Sequence, residues 1–472
     1  MIDFECALFD GDSVSKPLGA LGFAAPASKD QRQYDRDTQA LSRILLMMLL
    51  PIVPVLSLDQ GKFGMLSEAA ASLFSIDENI SFKLRPVIAR LPRRSPEYTA
   101  DPILIDDENW PAMRDALVQG IMARATPQRK DLLFRSDALQ FAHGCASFAY
   151  GSAGIIYALQ KVVGHVPPEL TNHMYRMARD GNGCLGGGFF DGLHGAAHTL
   201  LITGRDDQAA ETLNAAMARP LPSSDAFFGG KAGVILNLLH FADALGDDSL
   251  SGRADELGSE LANTVISDDQ ALAQLPAGLL HGYSGLAVLF VRLYEHTRRQ
   301  LFLNAAEIAL RRDMHSGRLL DDGVYHLFKN PKYLIYFDEG SIGLGLALDR
   351  FVVHRPIPEF EKILGEIRHG CTIPFVMQPG LFQGRTGLIA ALADSDRQCD
   401  SRAGRDQAAR LNWHALHINN HIAFPGNGLT KVSDDFATGS AGILLVLDAL
   451  FTRRQPELPF LSKTADTEEV GI

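Results

Sequence analysis

The sequence offers a nucleic-acid backbone nothing to grip. It holds 44 Lys and Arg against 56 Asp and Glu, a net charge of -12, and no basic run, whereas phosphate recognition rests on clustered cations. Cysteine is scarce and unpaired: Cys6, Cys145, Cys184, Cys371 and Cys399 are odd in number and never form a C-x-x-C pair. That excludes a disulfide scaffold and points to a reducing, cytoplasmic setting. No apolar run reaches the roughly 18 to 20 residues that a membrane-spanning helix needs. The one candidate, ILLMMLLPIVPVL from Ile44 to Leu56, is broken by Pro51 and Pro54 and reads as a buried core helix. The N-terminus has no positive stretch followed by an apolar one, so no signal peptide is expected. Alternating β-branched runs are few, which sets aside a β-propeller. Only Trp110 and Trp413 supply indole rings, too few for the aromatic sugar cleft of a toroidal glycosidase.

Apolar residues are plentiful, at 46% of 472 residues, enough for two or three cores or one large single-layer architecture with an appendage. Glycine is organised. Seven segments place an aromatic or leucine, two residues, Gly, two residues and Gly before an apolar run: FAYGSAGIIYAL, FFDGLHGAAHTL, FFGGKAGVILNL, LLHGYSGLAVLF, FDEGSIGLGLAL, LFQGRTGLIAAL and FATGSAGILLVL. Their first glycines, Gly151, Gly192, Gly230, Gly282, Gly340, Gly384 and Gly439, are 41, 38, 52, 58, 44 and 55 residues apart. Each interval accommodates one helix out, a loop and one helix back. The stretch after each second glycine is apolar all round, as a buried helix requires, while intervening segments such as RADELGSELANTVI have one wet face. The expected fold is therefore all-α, an α/α toroid of seven helical hairpins. Its glycines either pack helix starts closely or leave first-turn N–H groups facing an anion-tolerant funnel.

The seven motifs resemble the lanthionine synthetase C-like cyclase domain. RKDLLFRSDALQF, PAGLLHGYSGLAVLFVRLYEHT, LFQGRTGLIAAL and FPGNGLTKVSDDFATGSAGILLVLDAL more particularly resemble the cyclase portion of class III lanthipeptide synthetases, from about Trp110 to Leu461. In that family a kinase-like domain precedes the cyclase. Asp3, Phe4 and Glu5 resemble its metal-binding turn, LGALGFAAP the end of an activation segment, and YDRDTQALSRILLMMLLP a C-lobe anchor helix. The resemblance thus divides the chain into a kinase-like C-lobe remnant at 1–100 and a cyclase at 101–472. A kinase lacking the glycine-rich loop, the nucleotide lysine and the catalytic aspartate has no phosphotransferase activity.

The resemblance implies addition of a precursor-peptide cysteine to dehydroalanine or dehydrobutyrine, giving lanthionine or labionin rings. Separate lyase and kinase proteins are possible partners. The other reading is an idle scaffold that binds the peptide for separate dehydration enzymes. Zinc-dependent relatives take ligands from positions matched here by Asp338, Phe382 and Gln383, so no metal or other cofactor is expected. The neighbouring His369 and Cys371 in RHGC read as a chance pairing. His281, just before the fourth first glycine, matches the family's central histidine and is expected to exchange protons with thiol or enolate, unless it only caps or packs its helix. Arg385 would pair with a thiolate, an enolate or a peptide carboxylate, or else form an ion pair with Asp338 or Glu339. Tyr150, Asp191, Glu339 and Gln383 precede first glycines, and His194 and Lys231 lie between glycines; these and Asp338 are expected to line the cavity and bind the peptide. Asp435 and Lys431 are assigned a structural part in closing the ring.

Overall fold

The computed structural model describes residues 22–23, 33–76, 104–180, 185–267, 275–329, 331–395 and 397–462. The Asp3–Phe4–Glu5 turn, Cys6, Cys184 and all of LGALGFAAP except Gly22 and Phe23 lie outside the described residues. Helices α1 (Gln33–Leu49) and α2 (Lys62–Leu73) come first, followed by α3 (Trp110–Ala123) and the single turn α4 (Gln140–His143). Hairpins of one inner and one outer helix then succeed each other. These are α5 (Ser152–Val163) with α6 (Pro168–Asp180), α7 (Leu193–Ile202) with α8 (Asp206–Met217), and α9 (Lys231–Leu245) with α10 (Asp248–Ile266). Next come α11 (Tyr283–Thr297) with α12 (Gln300–His315), α13 (Ser341–Val352) with α14 (Pro358–Gly370), and α15 (Arg385–Ala393) with α16 (Gln398–Arg410). The last inner helix, α17 (Ser440–Thr452), takes α3 as its outer neighbour.

The chain is mostly helical, with two small antiparallel sheets among the described residues. Strands β1 (Gly317–Leu319), β2 (Tyr325–Lys329) and β3 (Lys332–Leu334) pair in that order, Leu327 opposite both Gly317 and Leu334, between α12 and α13. Strands β4 (Leu416–Ile418) and β5 (His421–Ala423) form a hairpin between α16 and α17.

Burial follows the sequence pattern. In α17 every residue from Ser440 to Leu450 is buried, as expected of a helix surrounded by others. In α10 only Leu250, Ala254, Leu257, Gly258, Leu261, Ala262 and Val265 are buried, one stripe at helical spacing, and Asp247 caps its start by accepting from the Ser249 N–H at 2.9 Å.

Each inner helix packs against the next, and α17 packs against α5, so the ring closes. A circle of backbone hydrogen bonds marks the same closure. The residue two before each first glycine donates its N–H to its counterpart's carbonyl in the next repeat: Ala149 to Phe190, Phe190 to Phe228, Phe228 to Leu280, Leu280 to Asp338, Asp338 to Phe382, Phe382 to Ala437, and Ala437 back to Ala149, at 2.7–3.2 Å. This uses polar groups that a buried ring would otherwise leave unpaired.

The glycines turn out to be a matter of space. The first glycines have φ between -109° and -152°, a region open to any residue. A Cβ there would stand 2.1–2.5 Å from backbone of the preceding loop, and at the second glycines 2.1–2.7 Å from the carbonyl six residues earlier. The second glycines also receive a side chain from the previous repeat: Phe148 presses its Cβ to where one on Gly195 would lie 2.8 Å away, and Phe189 does the same at Gly233.

The first-turn N–H groups do not open an anion-tolerant funnel. In five repeats the residue after the first glycine donates to a carbonyl seven residues back: Ser152 to Cys145, Leu193 to Gly186, Lys231 to Ser224, Arg385 to Gln378 and Ser440 to Ser433, at 2.9–3.1 Å. In the fourth, the buried Asp313 of α12 accepts from the N–H groups of Gly278, Tyr283 and Ser284 at 3.0, 3.3 and 2.7 Å.

Helix α1 corrects the expectation of a buried core helix. Leu46 and the following Leu50 are fully buried, but Leu41, Ile44, Leu45 and Met48 are 57, 46, 46 and 77% exposed. Among the described residues, α1 meets α2 and one short turn, which cover a single face. That face joins a second apolar cluster in which Leu50, Ile52, Val55 and Phe63 meet Trp413, Leu416, Ala423 and Leu429, and Lys62 donates to the Asn412 carbonyl at 2.9 Å. No helix among the described residues is long and apolar enough to cross a membrane.

Candidate functional site

The hydrogen-bonded circle has an aromatic plug. Phe190, Phe228 and Phe382, from the second, third and sixth repeats, meet across the axis with ring centroids 5.5–6.5 Å apart, and Phe382 stacks on Phe337 at 5.8 Å. The backbone there turns: the Gly151 N–H donates to the Ser147 carbonyl and the Gly282 N–H to the Gly278 carbonyl, each at 3.1 Å, and the first glycine itself is extended. The residue after each plug position, just before the first glycine, comes up beside the plug as the rim of a mouth.

His281 lies on this rim, its ring 5.0 Å from that of Phe228. Burial lowers its pKa, with Lys329 and His143 acting the same way and Glu339 opposing them. The imidazole is therefore neutral near pH 7, able to take a proton and then return it. Glu339 is bound by the ammonium of Lys329, which reaches over from the end of β2. Tyr150 sits 6.3 Å from Phe228, and burial, reinforced by Asp435 and Asp338, raises its pKa and keeps the phenol protonated. The Asp191 carboxylate rests against Gly186, Gly188 and Gly229, with Oδ1 buried and without a hydrogen bond among the described residues. Burial raises its pKa and His143 opposes the rise.

Asp338 is a plug residue, and the one charged group in the circle. Its Oδ2 accepts from the Gln383 amide at 2.6 Å, its Oδ1 from the Glu339 N–H at 2.7 Å, and burial pushes its pKa up to about 6. Asp338, Phe382 and Gln383 do not fit a zinc ion: a phenylalanine has no donor, and the amide of Gln383 is turned toward Asp338. No group of three His, Cys, Asp or Glu suited to a metal occurs among the described residues. Cys371 is fully buried against the Ile367 carbonyl, and burial pushes its thiol up to about 12.

Tyr150, Asp191, His281, Asp338, Glu339 and Gln383 are thus brought together, and three other residues are not. Arg385 is fully buried, points away from the mouth, and is held by Gln407 and by the Pro374 carbonyl at 3.3 Å over the ring of Trp413. Its partners are neither Asp338 nor Glu339, and burial lowers its pKa to about 9. His194 lies between inner helices, where the Asn237 amide contacts its Nδ1 at 3.2 Å and burial lowers its pKa to about 4. Lys231 is bound to Asp225 of its own loop at 2.7 Å.

His143 is the mouth residue that sequence reasoning missed. It precedes no first glycine, yet its ring stacks on Tyr150 at 5.4 Å and meets Phe228 edge-on at 5.7 Å. Only its place in FAHGC, seven residues before Tyr150, hinted at proximity.

No family model matches the chain. It is 29% identical to a probable SapB synthase of Streptomyces coelicolor over 507 aligned positions, covering 98% of this chain and 54% of the synthase. The chain thus spans about half the length of that curated relative. Its structure is similar to that of a nisin cyclase with a TM-score of 0.48 and 13% identity, over 75% of this chain and 96% of the other.

Proposed function

We propose that this chain, related to the lanthionine synthetase C-like cyclases by its seven glycine motifs and by a synthase match along nearly its whole length, closes thioether rings in a dehydrated precursor peptide without zinc. The observation that carries the reading is the placement of His281: a neutral imidazole on the rim of a closed ring, over an apolar floor, beside Tyr150 and the Glu339–Lys329 pair.

In this reading His281 takes the proton of a substrate cysteine, whose unperturbed pKa is about 8.5. The sulfur then forms a bond to the β-carbon of the dehydro residue, and the alkene electron pair moves onto the carbonyl oxygen as an enolate. Tyr150, protonated at neutral pH, and the ammonium of Lys329 are the donors placed to stabilise that charge. The imidazolium returns its proton to the α-carbon. Nothing is oxidised or released, so the chemistry asks for no further reactant. The aromatic plug keeps water from the floor of the site.

The test uses purified chain and a chemically dehydrated Ser/Cys peptide, with loss of free thiol followed by alkylation and mass spectrometry. His281→Ala is expected to slow ring closure by about 100-fold or more, the usual worth of a positioned acid–base group, while peptide binding persists. A wild-type chain that binds the peptide and closes no rings leaves the scaffold reading.

A further inference from the structure

A cleft of about 630 Å³ opens beside the mouth, within the size range of ligand sites. Its walls are residues 127–131, the side of α6, and the segment Gly144–Ala146 with Leu185. That segment continues directly from His143, whose ring is in the mouth, and the Cys145 carbonyl accepts the Ser152 N–H at the start of α5. One strand of backbone separates the two spaces. With extended chain advancing about 3.3–3.6 Å per residue, a bound peptide crosses from one to the other within a few residues.

The cleft combines apolar wall with positive charge. Met177, Leu185, Ala146 and Pro127 give it apolar wall, while Lys130 and Arg176 are exposed cations on its edge. The nearby carboxylates are already engaged: Asp131 with Arg129 at 2.7 Å and Asp180 with Arg179 at 2.8 Å. On a chain of net charge -12, two cations that form no salt bridge among the described residues, at the edge of a partly apolar cleft, make a complementary place for an acidic ligand. His173, 4% exposed, lines the same cleft.

We propose that this cleft is a second substrate subsite, gripping an extended apolar segment of the peptide through a carboxylate side chain between Lys130 and Arg176 while another part of the same peptide occupies the mouth. The proposal rests on the peptide-substrate reading of the mouth and adds the chemical class of segment recognised. Two linked contacts raise the effective concentration of the reacting segment without any new chemistry.

Fluorescence anisotropy tests it on the whole chain, with a fluorescein-labelled hexapeptide of alternating Glu and Leu and its Lys–Leu counterpart as probes. The Glu–Leu probe is expected to bind, to weaken about tenfold in the Lys130→Glu, Arg176→Glu double variant, as two exposed ion pairs would allow, and to be unaffected by His281→Ala. Both altered side chains are exposed, so the double variant should melt with the wild type. Equal binding of both probes, indifference to the double reversal, or no binding of the Glu–Leu probe overturns the subsite. If the probe binds as described but the wild type closes no rings, the reading of the mouth falls and the subsite stands. Ring closure with a probe that ignores Lys130 and Arg176 does the reverse.

Discussion

A glycine in this chain has a meaning that depends on its neighbours. At Gly154 an added Cβ would lie 2.1 Å from the Phe148 carbonyl and 2.6 Å from the Phe436 Cβ, so the last repeat and the first must both give way. Gly154→Ala is expected to destabilise the chain by about 1–3 kcal/mol, the cost of overpacking a tight core. At Gly252, on the wet side of α10, nothing lies within 4 Å. Gly252→Ala is expected to stabilise by about 0.5–1 kcal/mol through the restricted unfolded chain. Chemical denaturation of the two variants gives opposite signs if packing governs the motif glycines; equal effects contradict that account. The same local geometry decides which site residues were legible. Those just before a first glycine sit in the turn that carries the plug, and Tyr150, Asp191, His281, Glu339 and Gln383 reach the mouth. Those after it are already helical, where direction turns by about 100° per residue. Arg385 and Lys231 consequently turn toward their own hairpin, and His194 toward Asn237.

Among the inner helices, α11 starts differently from its fellows. Its Tyr283 N–H, the counterpart of those that donate seven residues back in five repeats, goes to Asp313, which reaches in from α12 to accept three backbone N–H groups and the Ser284 hydroxyl. Burial nevertheless pushes the Asp313 carboxyl up to about 6. The folded state therefore keeps a proton that an unfolded aspartate releases near pH 4, and the stability contributed by Asp313 falls as pH rises from about 4 to about 6. Asp313→Asn turns an amide toward groups that need an acceptor and is expected to cost about 1–3 kcal/mol. Since the variant cannot titrate, its deficit should shrink across that pH window. Urea denaturation at pH 4.5 and pH 6.5 measures it, and a deficit that grows with pH would mean the carboxylate is ionised throughout. Nothing in the sequence around Asp313 marks it, because a cap supplied by another helix has no local pattern. The uncovered face of α1 escaped for a related reason: periodicity identifies an apolar stripe but not whether a neighbour exists to cover it.

A closed ring has a property that an open stack of hairpins lacks, a seam where the last unit meets the first. The count of seven was legible because one motif is copied seven times with its flanks. How the seam is fastened was only partly so, since it depends on groups about 300 residues apart. The Ala437 N–H donates to the Ala149 carbonyl at 3.0 Å, the Asp434 N–H to the Arg135 carbonyl at 2.8 Å, and Asp435 accepts from the Asp137 N–H at 2.9 Å. The strongest clasp is Arg124, the residue that ends α3, which donates from Nε and Nη2 to the fully buried Asp434 carboxylate at 2.9 and 2.6 Å. Burial raises the pKa of Asp434 and Arg124 opposes the rise. Asp434→Ala leaves the guanidinium largely buried without its partner, a change that costs about 3–5 kcal/mol in comparable pairs. In a structure where each unit touches mainly its neighbours, such a loss stays near the break before it spreads. Amides of α3, α5 and α17 should then lose hydrogen-exchange protection first in Asp434→Ala, while α9 and α11 on the far side keep theirs. Even loss around the circle would show instead that the seven hairpins open as one cooperative unit and that the seam is no weaker than any other junction.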